Sequence, residues 1–476
     1  MRTGCSLLVA VLAVLLGSST AYFKPDLQSA YNFTVLKTYN KSTLYRIEAN
    51  SSYDNAPLLV DLHGSRYEMG YAYGAMMADE VMFVYNAFLD SLLSSFINST
   101  MGLDVAKDII GAICDWQAKR DLFTELPAVY QQELAGITAA GNDHGQPDLG
   151  KAIERVLVLA NMPGDIPDFI YVLIREYFGD AVADAIGKPV PSHVAFRGRN
   201  LDWTKDSGMN RYKLVTVFHP EDGFAHATVG FAPMWGAITG MSSQGITVHE
   251  ANLEENRITF DGFPWALRLR YIMENARNLT EAKALWEATN NTVGFNHMVG
   301  SASDSLIQGR PAALVMETMH NYTAFFHDND PREINATIDI KNKTYVIGEA
   351  IPDAVWRTNH GYDPEIREHF EWSMSPSSST VFRYFIIHDA LKQYEAEGQE
   401  ISLAQMVNIT AVVGNKGDTR DEFYTCADTT AGSNVVSVAF APNSLTMAAA
   451  WERSTGDNWR PASCSTYIEL NMNIWF

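Results

Sequence analysis

The order of elements along the chain predicts an α+β fold in which sheet layers are covered by helices. Three observations carry this. Residues from Tyr67 to about Ile186 show helical spacing of apolar positions, as in Val81, Phe83, Val84, Phe88, Leu89 and Leu92. After Pro191 the pattern changes to short β-branched and aromatic runs separated by turn residues. A helix pair then interrupts the strands, and more strands follow. That order lacks the regular strand–helix alternation of a doubly wound parallel sheet.

Taken in order, the elements are these. Met1–Ala21 has a positive Arg2, an uncharged apolar run from Leu7 to Leu16, and small residues at Ser19 and Ala21, so it reads as a cleaved signal peptide. That run is shorter than the ~20 residues a membrane-crossing helix needs, and no later stretch is long and apolar enough to span a bilayer. About 22–62 is strand-prone. Val156, Leu157 and Ala160 continue the helical region. Val194–Leu201, Tyr212–Phe218 and Ile246–Val248 read as strands, with turns at Glu221-Asp222-Gly223 and Gln244-Gly245. Pro264–Ala276 is expected to be a helix burying Leu269, Ile272, Met273 and Ala276. A second helix follows, with Thr280 as its N-cap and Leu285 and Trp286 inside. Strands at Ala312–Met316 and Tyr345–Ile347, a helix at about 378–395 and a strand pair around 435–451 complete the chain.

Composition narrows the function. A net charge of −21 argues against nucleic acid or an anionic membrane as partner. Ten N-x-S/T sequons, at Asn32, Asn40, Asn50, Asn98, Asn278, Asn290, Asn321, Asn335, Asn342 and Asn408, together with the signal peptide indicate a glycoprotein of the secretory pathway, lysosomal or extracellular. Cys5 leaves with the signal peptide. Cys426 and Cys464 are expected to form a disulfide, and Cys114 is read as a small buried apolar residue.

The common catalytic signatures are missing. Gly240-Met241-Ser242-Ser243-Gln244 lacks the last glycine of a nucleophile elbow, and His249-Glu250 is not followed by the second histidine of a zinc-protease helix, because residue 253 is Leu. There is no C-x-x-C pair and no phosphate-cradling loop. No metal or organic cofactor is expected. Polar strings inside apolar surroundings stand out instead. Gly198-Arg199-Asn200-Leu201-Asp202-Trp203 places Arg199 and Asp202 where a strand runs into a turn, as a structural ion pair or as a pair that orients a nucleophile or substrate. Gly245-Ile246-Thr247-Val248-His249-Glu250-Ala251-Asn252 ends in an amide that serves an Asx-turn or donates to an oxyanion. Trp356-Arg357-Thr358-Asn359-His360 is a third string, and Arg383 follows the Ser377–Thr380 cluster on a helix.

Together with His63-Gly64-Ser65-Arg66-Tyr67-Glu68-Met69-Gly70 and Asn161-Met162, these strings resemble the acid ceramidase and N-acylethanolamine acid amidase group of Ntn hydrolases. They are more similar still to the penicillin acyltransferase-like peptidase family. The resemblance runs from about residue 60 to 452. It implies an Ntn-hydrolase-like αββα sandwich, with residues 22–186 a mostly helical N-terminal region and 187–476 the Ntn-type domain, the two forming one integrated fold. It also implies self-cleavage that exposes an N-terminal cysteine, whose attack on an amide uses its own amine as base. Carried over by residue, Arg199 and Asp202 flank the nucleophile, Asn252 and Asn359 stabilise the oxyanion, and Arg383 supports the pocket. The substrate class is N-acyl amides, including ceramide- or acylethanolamine-like lipids. Phe231, Met234, Trp235, Phe263 and Trp265 are candidates for an acyl pocket or for ordinary core.

The nucleophile itself is unknown. It belongs ~12–20 residues before Arg199, at the head of a strand that hairpins into the Arg199 strand. That window, Gly179–Gly187, holds no Cys, Ser or Thr, and neither does any position between Thr138 and Ser192. Ser192 is only seven residues before Arg199, too close for a full hairpin. Three explanations stand: an inactive relative that binds a lipid or protein partner, a chain lacking the segment that bears the cysteine, or Ser192 acting through unusual geometry.

Overall fold

A computed structural model describes residues 25–94, 103–119, 125–160, 181–185, 196–202, 205, 207–253, 255, 257, 259, 261–370, 379–399, 401–415, 426 and 433–476. At 92, 94, 103, 104, 181–185 and 196 it describes the backbone alone. The strands are β1 (Leu27–Ser29), β2 (Asn32–Tyr39), β3 (Ser42–Glu48), β4 (Leu58–Gly64), β5 (Ala181–Ala185), β6 (Phe196–Asp202), β7 (Lys213–Pro220), β8 (His226–Phe231), β9 (Thr239–Ser242) and β10 (Ile246–Asn252). They continue as β11 (Phe295–Ser301), β12 (Ala313–Met319), β13 (Tyr322–Phe326), β14 (Thr337–Ile340), β15 (Lys343–Val346), β16 (Val355–Arg357), β17 (Asn434–Ala441), β18 (Thr446–Trp451) and β19 (Tyr467–Asn471). The α-helices are α1 (Arg66–Ser94), α2 (Leu103–Gln117), α3 (Ala128–Asp143), α4 (Leu149–Ala160), α5 (Trp265–Asn275), α6 (Leu279–Glu287), α7 (Ala302–Gln308), α8 (Pro364–Glu368), α9 (Ser379–Ala396) and α10 (Leu403–Gly414).

These strands build two large sheets and a separate β14–β15 hairpin. One sheet has seven strands in the order β1-β19-β18-β17-β6-β5-β16, and the other has ten in the order β13-β12-β11-β10-β9-β8-β7-β4-β3-β2. The sheets face each other where β10 meets β5 and β6 and where β12 meets β16. Helices α1, α5 and α6 cover the ten-stranded sheet, and α9 and α10 cover the seven-stranded one. The result is the αββα sandwich.

Burial explains the layering. Leu269, Ile272 and Met273 of α5, with Ala276 just beyond it, are fully buried and join Val217, Val229 and Val248 of the sheet beneath. Each such large side chain contributes roughly 1.5–3 kcal/mol by leaving water. The glycine of the early motif has a packing role. A Cβ on Gly70 would stand 1.9 Å from the Glu133 carbonyl oxygen, so its absence is what lets α1 and α3 touch.

Several expectations change in detail. Residues 22–186 contribute strands to both sheets: β1 pairs with β19, β2 to β4 form one edge of the ten-stranded sheet, and β5 hydrogen-bonds to β6 across the 186/187 boundary. Helix α6 is capped by Asn278, whose side chain accepts from the Glu281 amide, and not by Thr280. Strand β19 and helix α10 were unanticipated. The α10 run Leu-Ala-Gln-Met-Val-Asn-Ile-Thr-Ala-Val-Val-Gly is rich in β-branched residues, so its propensity argues against a helix. A Ser402–Gln405 capping box and burial of Met406, Val407 and Ile409 against the sheet override that propensity.

Candidate active site

Strand register gathers the predicted residues at one end of the sandwich. Across the seven-stranded sheet, Arg357 of β16, Val182 of β5 and Arg199 of β6 lie side by side. Because β5 runs antiparallel to both neighbours, it starts at the end where β6 finishes at Asp202 and where the chain leaving β16 reaches Asn359. The head of β5 is therefore the position at which the resemblance calls for a nucleophile. Strand β5 reads Ala-Val-Ala-Asp-Ala. Ser192 and Trp203 lie outside the described residues, as do Gly179, Asp180, Ile186 and Gly187 of the expected window.

Arg199 is fully buried and crosses to the facing sheet. Its Nη2 donates to a Glu250 carboxylate oxygen, and its Nε donates to the Glu250 carbonyl at 3.4 Å. The carboxylate that receives Arg199 Nη2 is Glu250 on β10, on the facing sheet. Asp202 shares its place in the strand alternation with Asn200, which donates to the Thr410 carbonyl of α10 at 2.8 Å, and not with Arg199. Asp202 closes β6 opposite Asn434 and is half-buried. Arg197, on the same face as Arg199, donates to the Ala312 carbonyl at 2.8 Å. It fits because Gly300 has no side chain: a Cβ there would lie 1.6 Å from the Arg197 Nε.

The remaining predicted residues form a hydrogen-bonded chain. Arg383 Nη2 on α9 donates to Asn359 Oδ1 at 2.7 Å, and Asn359 Nδ2 donates to the Asn252 carbonyl at 2.9 Å. Guanidinium can only donate, so Arg383 fixes which end of the Asn359 amide is oxygen and aims its N–H groups toward β10. Ser379, one turn earlier on α9, accepts from Arg383 Nε at 3.2 Å. Asn359 and Arg383 are buried, and Asn252 is half-buried at the end of β10.

Two neighbouring clusters are scaffold. Arg357 is held by Glu317 at 2.9 Å and Glu333 at 2.7 Å. His360 is buried against Thr380 Oγ1 and the Tyr362 hydroxyl, both at 2.8 Å. Burial, followed by the nearby Arg357 charge, pushes its imidazole down to about 3, so it is neutral in the folded chain. His249 is held well below the ordinary histidine value by burial and then by Arg197 and Arg199.

The apolar and cysteine expectations resolve plainly. Phe231, Trp235, Phe263 and Trp265 are buried in the core and Met234 is packed against it, while the indoles of Trp235 and Trp265 donate to Glu133 Oε1 and the Ala160 carbonyl. They are ordinary core. Cys426 and Cys464 are joined in a disulfide. Cys114 is a free thiol on α2, and burial pushes it up to about 12, which leaves it protonated and unreactive. Sequence reasoning missed Glu250 as a member of the site. The signal was there: a lone carboxylate in a strand that is otherwise buried needs a cation.

Residues 191–454, more than half of the chain, match the family described as acyl-coenzyme A:6-aminopenicillanic acid acyl-transferase. Among curated relatives, protein dcd1B of Dictyostelium discoideum is 23% identical over 58% of this chain and 53% of its own length. An uncharacterized protein of Archaeoglobus fulgidus is 23% identical over 75% of this chain and 58% of its own. The chain thus spans a little over half the length of these relatives. Among solved structures, a Caenorhabditis elegans N-acylethanolamine-hydrolyzing acid amidase ortholog aligns at 13% identity and a TM-score of 0.34, covering 56% of this chain and 93% of that one. The family match contains Arg199, Asp202, Glu250, Asn252, Asn359 and Arg383, and by it this chain belongs to the acyl-coenzyme A:6-aminopenicillanic acid acyl-transferase family.

Proposed function

We propose that this protein takes N-acyl amides, ceramide- or acylethanolamine-like lipids among them, and hydrolyses the amide or transfers the acyl group. The observation that carries the reading is the Arg383–Asn359–Asn252 chain at the end of the sandwich where β5 begins. A carboxamide held by a guanidinium is a preorganised donor for the charge that develops on an attacked carbonyl oxygen. Asn359 and Asn252 supply such donors, Arg383 positions Asn359, and the Arg199–Glu250 pair fixes β6 against β10. No cofactor is required. The attacking group is an N-terminal cysteine, encoded between residues 160 and 198 in an active form of the chain. In keeping with its signal peptide and sequons, the protein works in the lysosome or outside the cell.

A second reading is favoured by one observation, the Ala-Val-Ala-Asp-Ala sequence of β5. On it, the same frame is a secreted glycoprotein that binds a lipid or a protein partner without catalysis. The test is N-terminal sequencing and intact mass of protein purified from its native source, with fluorogenic N-acyl amide as substrate. Two fragments, the larger opening at a cysteine, together with turnover support the enzyme. A single uncut chain matching this sequence, with no turnover, rejects it and leaves the binding reading.

A further inference from the structure

We propose that Asp61, His63 and His219 form a binding site for one divalent transition-metal ion of the zinc type. The site stands apart from the acyl-amide reading: it lies on β4 and β7, and β8 and β9 separate it from β10 in the ten-stranded sheet. Asp61 and His63 are two residues apart on β4, so they share a face, and the parallel register sets His219 of β7 directly beside His63. The two imidazoles stack with centroids 4.0 Å apart and planes within 6°. Stacked in this way, both rings bring Nε2 to the same carboxylate. Asp61 Oδ2 lies 2.9 Å from His63 Nε2, and Asp61 Oδ1 lies 2.9 Å from His219 Nε2.

The two halves of this arrangement differ, and the difference points to a cation. The His63–Asp61 contact is a hydrogen bond. The His219–Asp61 contact is not: Asp61 Oδ1 and His219 Nε2 are buried atoms with no hydrogen-bond partner, despite their 2.9 Å separation. Both atoms are buried polar groups left without a hydrogen bond, and an ion that the His219 ring turns to meet with its in-plane lone pair satisfies both. The donor atoms already lie within 4.8 Å of one another. Donors ~2.0–2.1 Å from a tetrahedral ion stand about 3.3–3.4 Å apart, so the carboxylate contacts open by a few tenths of an ångström and the two parallel rings turn out of their stack to aim their in-plane lone pairs at the ion. Two imidazole nitrogens and one carboxylate oxygen suit zinc and disfavour magnesium or calcium, which take oxygen ligands.

The three side chains are partly exposed, at 14% for Asp61, 33% for His63 and 22% for His219, which leaves a path for the ion and room for a water as fourth ligand. The backbone under them is fixed, since both strands are interior to the sheet. Bound metal therefore clamps β4, from the N-terminal part of the chain, to β7. The sequence hid the site because His219 follows Asp61 by more than 150 residues and no spacing motif links them.

The test uses untagged full-length protein, stripped with chelator and shown by circular dichroism to remain folded, then dialysed against micromolar zinc chloride. The expected result is one equivalent of zinc per chain and a rise in thermal midpoint. His219→Asn and Asp61→Asn should each weaken binding roughly a hundredfold or more and abolish the rise. His388→Asn, which removes a histidine paired with Asp389 on α9, should leave both unchanged. A folded wild-type chain that takes up no zinc overturns the site. So does uptake that is equal in wild type, His219→Asn and Asp61→Asn.

Discussion

Two buried charge clusters in this protein look alike in the sequence and behave differently in the structure. Under the helices on the ten-stranded sheet, Arg270 is bidentate to Glu133, with both contacts at 2.7 Å, and also binds Glu274 at 2.9 Å. Arg66 binds Glu274 at 2.9 Å, Tyr130 donates to the other Glu274 oxygen, and Trp235 donates to the Glu133 Oε1 that Arg270 also holds. Two cations answer two buried anions, Arg66 also reaching the exposed Asp222 at 2.7 Å, and aromatic donors complete the set. Between the sheets, by contrast, Arg199 meets Glu250 across the sandwich, and the nearby Arg383–Asn359–Asn252 chain ends at a half-buried residue at the mouth of the sandwich. The first cluster is closed and cements α1, α3 and α5. The second sits where strands end and loops begin. Buried charge alone does not mark a site; the proposed function rests instead on oriented donors at a strand end.

The comparison can be broken most forcefully at Arg270. Arg270→Ala leaves Glu133 and Glu274 buried with half their cations gone, and should cost about 3–5 kcal/mol or prevent folding. Urea denaturation measures it, and a midpoint close to wild type would deny that the cluster is structural. Arg199→Ala should cost a similar ~3–5 kcal/mol by taking the guanidinium away from the buried Glu250 carboxylate, and here the two side chains can be replaced together. Arg199→Met with Glu250→Leu should recover most of the lost stability, and a strictly additive double mutant would show the two side chains to be uncoupled.

A smaller effect follows from the histidines. His226, His249 and His297 are held well below their ordinary value by burial, and His360 is pushed down to about 3. All are neutral when folded and titrate near 6.5 when unfolded, so below that pH the unfolded chain binds more protons. Stability is then full above about pH 6.5 and falls as pH drops toward 3, by up to ~1.4 kcal/mol per pH unit for each histidine. Glu317, raised by burial, acts in the opposite sense near and above its ordinary value because the folded state takes up its proton first. Urea midpoints at pH 7.5 and pH 5 should show the acidic sample to be weaker; equal midpoints would mean that the buried histidines find compensating partners. The smallest effect is at α10, where Ser402→Ala removes the capping box and should cost about 1 kcal/mol by thermal unfolding.

What the sequence disclosed follows from range. The helix on Leu269, Ile272 and Met273 and the strands at 213–220 and 246–252 were legible because period and turn residues are local. Strand β11, Phe-Asn-His-Met-Val-Gly-Ser, was not, because it is buried on both faces and so has no alternation to read. At the site, Arg199, Asn252, Asn359 and Arg383 were each visible as polar residues in apolar strings. Their partners were not. Glu250 reaches Arg199 only because the two sheets stack, and His219 reaches Asp61 only because β4 lies parallel to β7. Contacts between sheets and crossovers within them have no sequence period.

On the proposed function, Asn359, aimed by Arg383, stabilises the oxyanion of an N-acyl amide. The most direct measurement is kcat and KM for a fluorogenic N-acyl amide, comparing native-source protein with Asn359→Leu produced in the same cells and checked for an unchanged unfolding midpoint. The account predicts turnover by the wild type and a fall in kcat of about 10²–10³ in the variant, with KM little changed. Equal kcat in the two proteins, or no turnover by either, would contradict it.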